Sequence, residues 1–168
     1  MKRLLAVVAA VGGIGALILL PASGGAQAPG ATTLTFFEPD SGGTFRLVDN
    51  APKSPSANPQ SRRFRFSVGD EVIFSARLFD RQGGTRQGTL YVDGKVIKGT
   101  TFSNASLIAS GVYVLNDGSQ IDVHGVFRFS ATANVAIIGG SGRFAGARGS
   151  LTSKNSERSS TDTLTLLP

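Results

Sequence analysis

The sequence predicts an all-β protein, a small antiparallel β-barrel of about eight strands. Apolar and polar residues alternate with a period of two in most stretches between residues 29 and 168, whereas helical periodicity is hard to find. Asp-Gly dipeptides, which supply the positive φ of two-residue hairpin turns, occur at Asp93-Gly94 and Asp117-Gly118. Short turns without crossover helices indicate antiparallel pairing, and closure into a barrel removes the exposed sheet edges.

The N-terminus has the pattern of an export signal. Lys2 and Arg3 precede an apolar segment over residues 4–20, and an Ala-Gln-Ala sequence at 26–28 supplies the small residues that signal peptidase requires. We predict a signal peptide over residues 1–28, and a secreted or cell-envelope protein with no stable membrane insertion after cleavage. The alternative is an uncleaved anchor, because the apolar segment approaches the lower length limit for a membrane-spanning helix.

Cysteine content and charge exclude several classes of function. The chain has no cysteine, which excludes a lipoprotein anchor, disulfides and thiolate chemistry. Removing Lys2 and Arg3 from the 17 basic residues leaves 15 against 11 acidic ones, a net charge near +4. Arg62, Arg63 and Arg65 alternate with phenylalanines, which suits a solvated strand edge. We therefore expect no nucleic-acid partner.

The mature chain, residues 29–168, is long enough for one domain with one core. Its first strand is predicted over residues 33–38. Alternation there places Leu34, Phe36 and Glu38 on one face of the strand.

A proline-rich segment over residues 50–61 follows the second predicted strand, residues 44–48. Pro52, Pro55 and Pro59 remove hydrogen-bond donors that a sheet needs, so this segment is predicted to be a surface loop. A loop of this length is either a flexible excursion or a lid over a binding site.

The rest of the chain continues the strand pattern. Further strands are predicted over residues 71–79, 107–115, 121–129 and 163–167, and the polar segment 153–161 is predicted to be a loop of low order. The residues expected to share a face are Val72, Phe74, Ala76 and Leu78 in one strand, and Ile121, Val123, Phe127 and Phe129 in another. The strand at 107–115 is apolar on both faces. It needs two apolar environments, one a barrel lumen and the other a subunit interface or a covering segment.

A glycine-rich stretch over residues 139–150, GGSGRFAGARGS, is predicted to be a hairpin corner, because glycine tolerates positive φ and close backbone approach. An apolar strand, then Gly-Gly-Ser-Gly, an aromatic residue (Phe144) and Ala-Arg-Gly, resembles the hairpin shared by plant allene oxide cyclases and dirigent proteins. The resemblance extends upstream through VGDEV at 68–72 and VHG at 123–125. It covers roughly residues 66–151.

The same stretch contains a loose dinucleotide-binding pattern, Gly140-x-Gly142-x-x-Ala145, with Asp162 about twenty residues further on. A dinucleotide site needs a helix that opens at the last of these positions, so that its N-terminus meets the pyrophosphate. Gly146 and the Ser and Thr residues that follow oppose such a helix, so we expect no nucleotide cofactor.

The usual catalytic constellations are missing from the sequence. His124 is the only histidine, and the nucleophile-elbow pattern fails because Arg143 follows the glycine cluster. Without Cys or a second His, no transition-metal site is predicted. A calcium site made of carboxylates alone stays open, although the acids are dispersed. We expect no cofactor and no metal.

The resemblance to allene oxide cyclases implies an apolar lumen with a few polar groups, including an acid on the first strand. Glu38 is the matching acid, but Ala76 and Leu90 stand where that family has Asn and Cys. Tyr91 and Tyr113 lie near its aromatic positions. These departures argue against allene oxide cyclisation itself.

The resemblance to dirigent proteins implies a pocket that holds phenoxy radicals for stereoselective coupling. Arg148 matches the Ala-Arg-Gly motif, with either a role in the pocket or a structural role at the hairpin. Glu38 or Asp40 would supply an acid near the barrel mouth. Both resemblances imply a homotrimer.

Together these observations predict a secreted barrel whose lumen binds a hydrophobic small molecule, and which steers cyclisation or stereoselective coupling if it has an activity. The residues expected to contact the ligand are Phe36, Phe74, Leu78, Tyr91 and Phe127. The candidate catalytic residues are Glu38, Arg148 and Tyr113. Burial of Glu38 beside Leu34 and Phe36 is expected to raise its pKa and to permit proton donation.

The competing hypothesis is a non-enzymatic secreted protein that binds a cell-surface polymer or another protein. Its barrel would be filled by its own large side chains, among them Phe36 and Phe129. The sequence supports the two hypotheses about equally, because a fold does not determine a function.

Overall fold

The computed structural model describes residues 30–53, 65–129, 132–156 and 158–168. The predicted signal peptide and most of the proline-rich segment lie outside these residues. Within them, no helix is long and apolar enough to cross a membrane.

Nine strands make up most of the described chain. They are β1 (Thr32–Pro39), β2 (Thr44–Val48), β3 (Glu71–Phe79), β4 (Arg86–Lys98), β5 (Ser106–Leu115), β6 (Gln120–Arg128), β7 (Ala133–Ser141), β8 (Gly149–Asn155) and β9 (Ser159–Leu166). One short 3₁₀ helix, Gly142–Phe144, joins β7 to β8.

The strands form one antiparallel sheet in the order β1-β9-β8-β7-β6-β5-β4-β3-β2. A further pairing between Phe37 of β1 and Phe79 of β3 closes this sheet into a barrel of eight strands. β2 lies outside the ring and pairs with the first half of β3. The predicted all-β antiparallel barrel is confirmed.

Alternation along the strands decides which side chains enter the lumen. In β5 every second residue from Leu107 to Leu115 is buried, while Ile108 between them is exposed. The same period of two occurs in β4, where Leu90 and Val92 are buried and Tyr91 is exposed. The predicted faces of the strands at 71–79, 107–115 and 121–129 follow from this local geometry and are confirmed.

The two ends of the lumen differ in how they are filled. At the end nearer the glycine hairpin, large apolar side chains are almost completely buried: Leu78, Ile121, Ile137, Leu151 and Leu164. At the opposite end the interior positions hold small residues, among them Ala76, Ala109, Ala133 and Ser153, and a cavity opens there. The site described below is built in this open half.

Two turn predictions had different outcomes. Asp117-Gly118 forms the predicted tight turn, with φ of +82° at Gly118 and the Asp117 carboxylate accepting a hydrogen bond of 2.9 Å from the Ser119 amide. The turn predicted at Asp93-Gly94 is wrong, because β4 continues straight through it. Gly94 is buried opposite Ala109, and an added Cβ would lie 2.7 Å from the Ala109 Cβ. Close approach inside the barrel, and not positive φ, requires glycine there.

The glycine hairpin is confirmed, but the predicted loop over residues 153–161 is wrong. β8 extends to Asn155 and β9 begins at Ser159, and the two strands pair from Asn155↔Ser160 onward. Ser and Thr residues satisfy the alternation of a strand as polar outward-facing groups, so a polar composition does not by itself predict a loop.

Candidate functional site

The open half of the lumen is a cavity of about 560 Å³. Aromatic side chains supply much of its apolar wall: Phe45, Phe74, Phe102, Phe127 and Phe129. Phe102 and Phe129 meet edge to face with ring centroids 5.1 Å apart. The wall is therefore suited to an apolar ligand.

The floor of this cavity is a hydrogen bond that crosses the lumen. The Tyr113 hydroxyl, on β5, donates a short hydrogen bond to Oδ2 of Asp162, on β9. Going around the ring of eight strands, β5 and β9 are four strands apart, so they stand on opposite sides of the barrel. Phe36 stacks on the Tyr113 ring at a centroid distance of 5.8 Å and holds it in place.

A second carboxyl group lies beside Asp162. In the β1–β9 pairing Phe36 is opposite Asp162, so Glu38, two residues on, is a diagonal neighbour on the same inner face. Both side chains line the cavity, and both residues are buried, with 8% and 2% exposed. Glu38 Oε1 and Asp162 Oδ1 are each buried without a hydrogen-bond partner among the described residues.

Burial raises the pKa of Glu38 well above its ordinary value, and the neighbouring carboxyl group of Asp162 raises it further. Two adjacent carboxyl groups in a low-dielectric site resist double ionisation. A proton on one carboxyl also supplies the donor that the other carboxyl otherwise lacks.

The pKa of Tyr113 is likewise raised well above its ordinary value, first by burial and then by the negative charges of Asp162 and Glu38. Tyr113 therefore stays protonated and remains a hydrogen-bond donor to Asp162. The arrangement can hold a proton at the bottom of an apolar cavity and offer it to a ligand.

Four of the residues predicted from the sequence line the cavity: Glu38, Phe74, Tyr113 and Phe127. Phe36 does not line it but supports it by stacking on Tyr113. The remaining three predicted residues lie elsewhere.

Leu78 is fully buried in the filled half of the barrel and does not reach the cavity. Tyr91 points outward and is 54% exposed, because its neighbours Leu90 and Val92 take the inner face of β4. Arg148 lies on the exposed hairpin, where its guanidinium donates to the Ala147 carbonyl at 2.7 Å. This position fits the structural role at the hairpin and does not place Arg148 near the carboxyl pair.

Sequence reasoning missed Asp162, which it considered only as a ribose ligand. Asp162 lies two residues before Leu164 and four before Leu166, so it shares a face of β9 with these two buried leucines. A charged residue in register with inward-facing leucines was the available signal. It was lost because residues 153–161 were predicted to be a loop, which hid the start of β9.

His124 takes no part in the site. It lies on the exposed outer face of β6, where its Nδ1 is 3.0 Å from the Ser110 hydroxyl oxygen. Within the described ranges, no group of three or more His, Cys, Asp or Glu side chains could hold a metal ion.

Comparison with known proteins shows the fold. No protein-family model and no curated protein sequence matches the chain. Among solved structures, a pyocyanin demethylase is 20% identical, with a TM-score of 0.58 over 82% of this chain and 99% of its own. The pterocarpan synthase dirigent protein GePTS1 is 17% identical, with a TM-score of 0.60 over 81% and 86% of the two chains.

The Diels Alderase AbmU from Streptomyces koyangensis is also 17% identical, with a TM-score of 0.56 over 82% of this chain and 63% of its own. At these identities the similarity is one of fold. The predicted dirigent-like barrel fold is confirmed.

Replacing Tyr113 with Phe tests the cross-lumen hydrogen bond. The change keeps the ring and removes the donor, which leaves a buried carboxylate oxygen without its partner. We expect Tyr113→Phe to lower the free energy of unfolding by about 1.5–3 kcal/mol, measured by urea denaturation. Tyr91→Phe is the matched control, since the exposed Tyr91 should change stability by less than about 0.5 kcal/mol. Equal losses of stability in the two variants would contradict the hydrogen bond between Tyr113 and Asp162 as the floor of the cavity.

The raised pKa of Glu38 predicts a pH dependence of stability. Because its pKa is higher in the folded than in the unfolded protein, the stability it contributes is fully present below about pH 4.5 and is lost as the pH rises toward the folded pKa. Glu38→Gln cannot ionise. The free energy of unfolding of this variant, relative to that of the unmodified protein, should therefore increase as the pH rises from about 4.5 to the folded pKa of Glu38. The slope should be at most about 1.4 kcal/mol per pH unit. A difference that stays constant between pH 4 and 8 would contradict this assignment.

Proposed function

We propose that this protein binds an apolar small molecule in the open half of its barrel and promotes a cyclisation or a stereoselective coupling there. The observation that carries this proposal is the 560 Å³ cavity with the Glu38–Asp162 pair at its floor. Its size lies within the range of small-molecule sites, about 300–1,000 Å³.

Confinement is the first contribution to such a reaction. The aromatic walls exclude water and restrict the conformations of a flexible substrate, so that reacting atoms are held close together. The cross-lumen Tyr113–Asp162 bond fixes the floor against which the substrate rests.

Proton transfer is the second contribution. The neutral carboxyl of the Glu38–Asp162 pair donates its proton to a substrate oxygen or carbon, and the pair later recovers a proton from the product. In a cyclisation the proton given and the proton recovered balance, and no cofactor is needed. Tyr113 holds Asp162 in position through the hydrogen bond that its hydroxyl donates.

The names of the solved structures with this fold support a role in small-molecule chemistry. A demethylase, a pterocarpan synthase and a Diels Alderase are all named for changes to organic molecules. The alternative of a filled, non-enzymatic barrel is less well supported, because side chains fill the half nearer the glycine hairpin but leave a cavity in the other half.

Export and assembly remain proposals that rest on the sequence. We place the protein outside the cytoplasm, after cleavage of residues 1–28, as a homotrimer. Ile108 and Val126 are exposed apolar residues that pair on the outer faces of β5 and β6, and they supply an apolar surface for self-association. The N-terminal residue and the molar mass of the exported protein test both proposals.

Filling the cavity tests the proposed binding site. Ala76 lines the cavity, whereas Ala136 is exposed on the outer face of β7. We expect Ala76→Phe to weaken binding of the neutral dye N-phenyl-1-naphthylamine by at least about tenfold, because its ring occupies the ligand volume. Ala136→Phe introduces the same side chain outside and should leave the affinity unchanged. Fluorescence titration of both variants gives the comparison, and equal affinities would place the dye outside the lumen.

A further inference from the structure

The open half of the lumen is acidic although the chain as a whole is basic. The charged residues among those that line the cavity are Glu38, Asp40, Arg128 and Asp162. The 168 residues of the sequence together carry a net charge of +6. Arg128 is exposed and forms no ion pair with a described residue, so it does not neutralise the carboxyl pair at the floor.

The floor carries a negative charge with few donors to stabilise it. The charge of Asp162 raises the pKa of both Glu38 and Tyr113, as a negative charge at the floor does. The only hydrogen bond from another described residue to these two side chains comes from the Tyr113 hydroxyl. A buried charge that lacks a counter-charge is costly, and a ligand that supplies one gains that energy on binding.

We infer that the ligand of this cavity is an organic cation, a protonated amine on an apolar body, with its nitrogen against the unpartnered oxygens of Glu38 and Asp162 and its apolar part along the aromatic walls. This inference rests on the proposed lumen-binding function and names its substrate class. An ammonium group offers both the N–H donors and the positive charge that the floor lacks.

Other ligand chemistries match the site less well. An alcohol satisfies one buried oxygen but leaves the negative charge uncompensated. A carboxylate places a third acid against the existing pair and is repelled. The aromatic residues along the wall favour a cation over an anion, because ring faces attract positive charge.

Three naphthalenes with one skeleton and different head groups test the inference. They are 2-(1-naphthyl)ethylamine, 2-(1-naphthyl)ethanol and the carboxylate 1-naphthaleneacetate, each titrated at pH 7 against the full chain. Since the sequence contains no tryptophan, naphthalene emission is read directly. We expect the amine to bind at least about tenfold more tightly than the alcohol, and the acetate to bind most weakly.

The double variant Glu38→Gln with Asp162→Asn removes the charge and keeps the shape and polarity of the floor. Gln and Asn keep nearly the volume of the two acids, and a thermal melt checks that the variant folds. In this variant the amine and the alcohol should bind with similar affinity. Asp93→Asn, which removes an exposed acid on the outer face of β4, is the matched control and should keep the full preference for the amine.

The outcomes separate this inference from the proposed function. Equal or tighter binding of the alcohol overturns the cation preference while leaving the lumen as a binding site. A preference for the amine that survives in the double variant also overturns it, because the attraction then comes from elsewhere. Failure of all three compounds to bind overturns both the lumen site and its cation preference.

Discussion

The hydrogen bond from Tyr113 to Asp162 is the interaction on which the organisation of this barrel depends. It joins opposite walls of the lumen and separates a half filled by large apolar side chains from a half that holds a cavity. Phe36 stacks on the Tyr113 ring, and Glu38 lies beside Asp162 with a pKa raised by burial and by the charge of that neighbour. Glu38, Tyr113 and Asp162 thus form a polar cluster in a largely apolar lumen, where they contribute both to stability and to the proposed chemistry.

The cavity exists because of side-chain volume and not because of backbone irregularity. The same alternation runs along the whole barrel, yet one end presents mainly leucine and isoleucine to the interior, and the other combines alanine and serine with the phenylalanines of the cavity wall. A close-packed core of this kind leaves space only where small residues coincide on several strands. Polar groups placed at the boundary between the two halves then face the empty volume, where an unpartnered carboxyl oxygen can meet a ligand.

Much of the fold could be predicted from local sequence, and the errors have local causes. Strands β2 and β3 match their predicted bounds, and β1, β5 and β6 do so to within one residue at either end. The Asp93-Gly94 dipeptide misled because the same residue types serve a tight turn and a close contact between strands. Only the partner across the barrel, Ala109, distinguishes the two uses of glycine. The start of β9 was predicted to be a loop because its polar composition was given more weight than the alternation of its residues between the two faces of a strand.

The sequence by itself determined the antiparallel β class and the inner face of each recognised strand. It also determined that an acid, Glu38, lies on the inner face of β1. It did so because the direction of a side chain along a strand depends only on a period of two. Tertiary structure alone decided that Glu38 meets Asp162 and Tyr113, that Tyr91 and Arg148 stay outside, and that half of the lumen is open. Those facts depend on the register between the first and last strands and on which residues face each other across the closed barrel. Contacts so distant in sequence leave no local pattern from which they could be predicted.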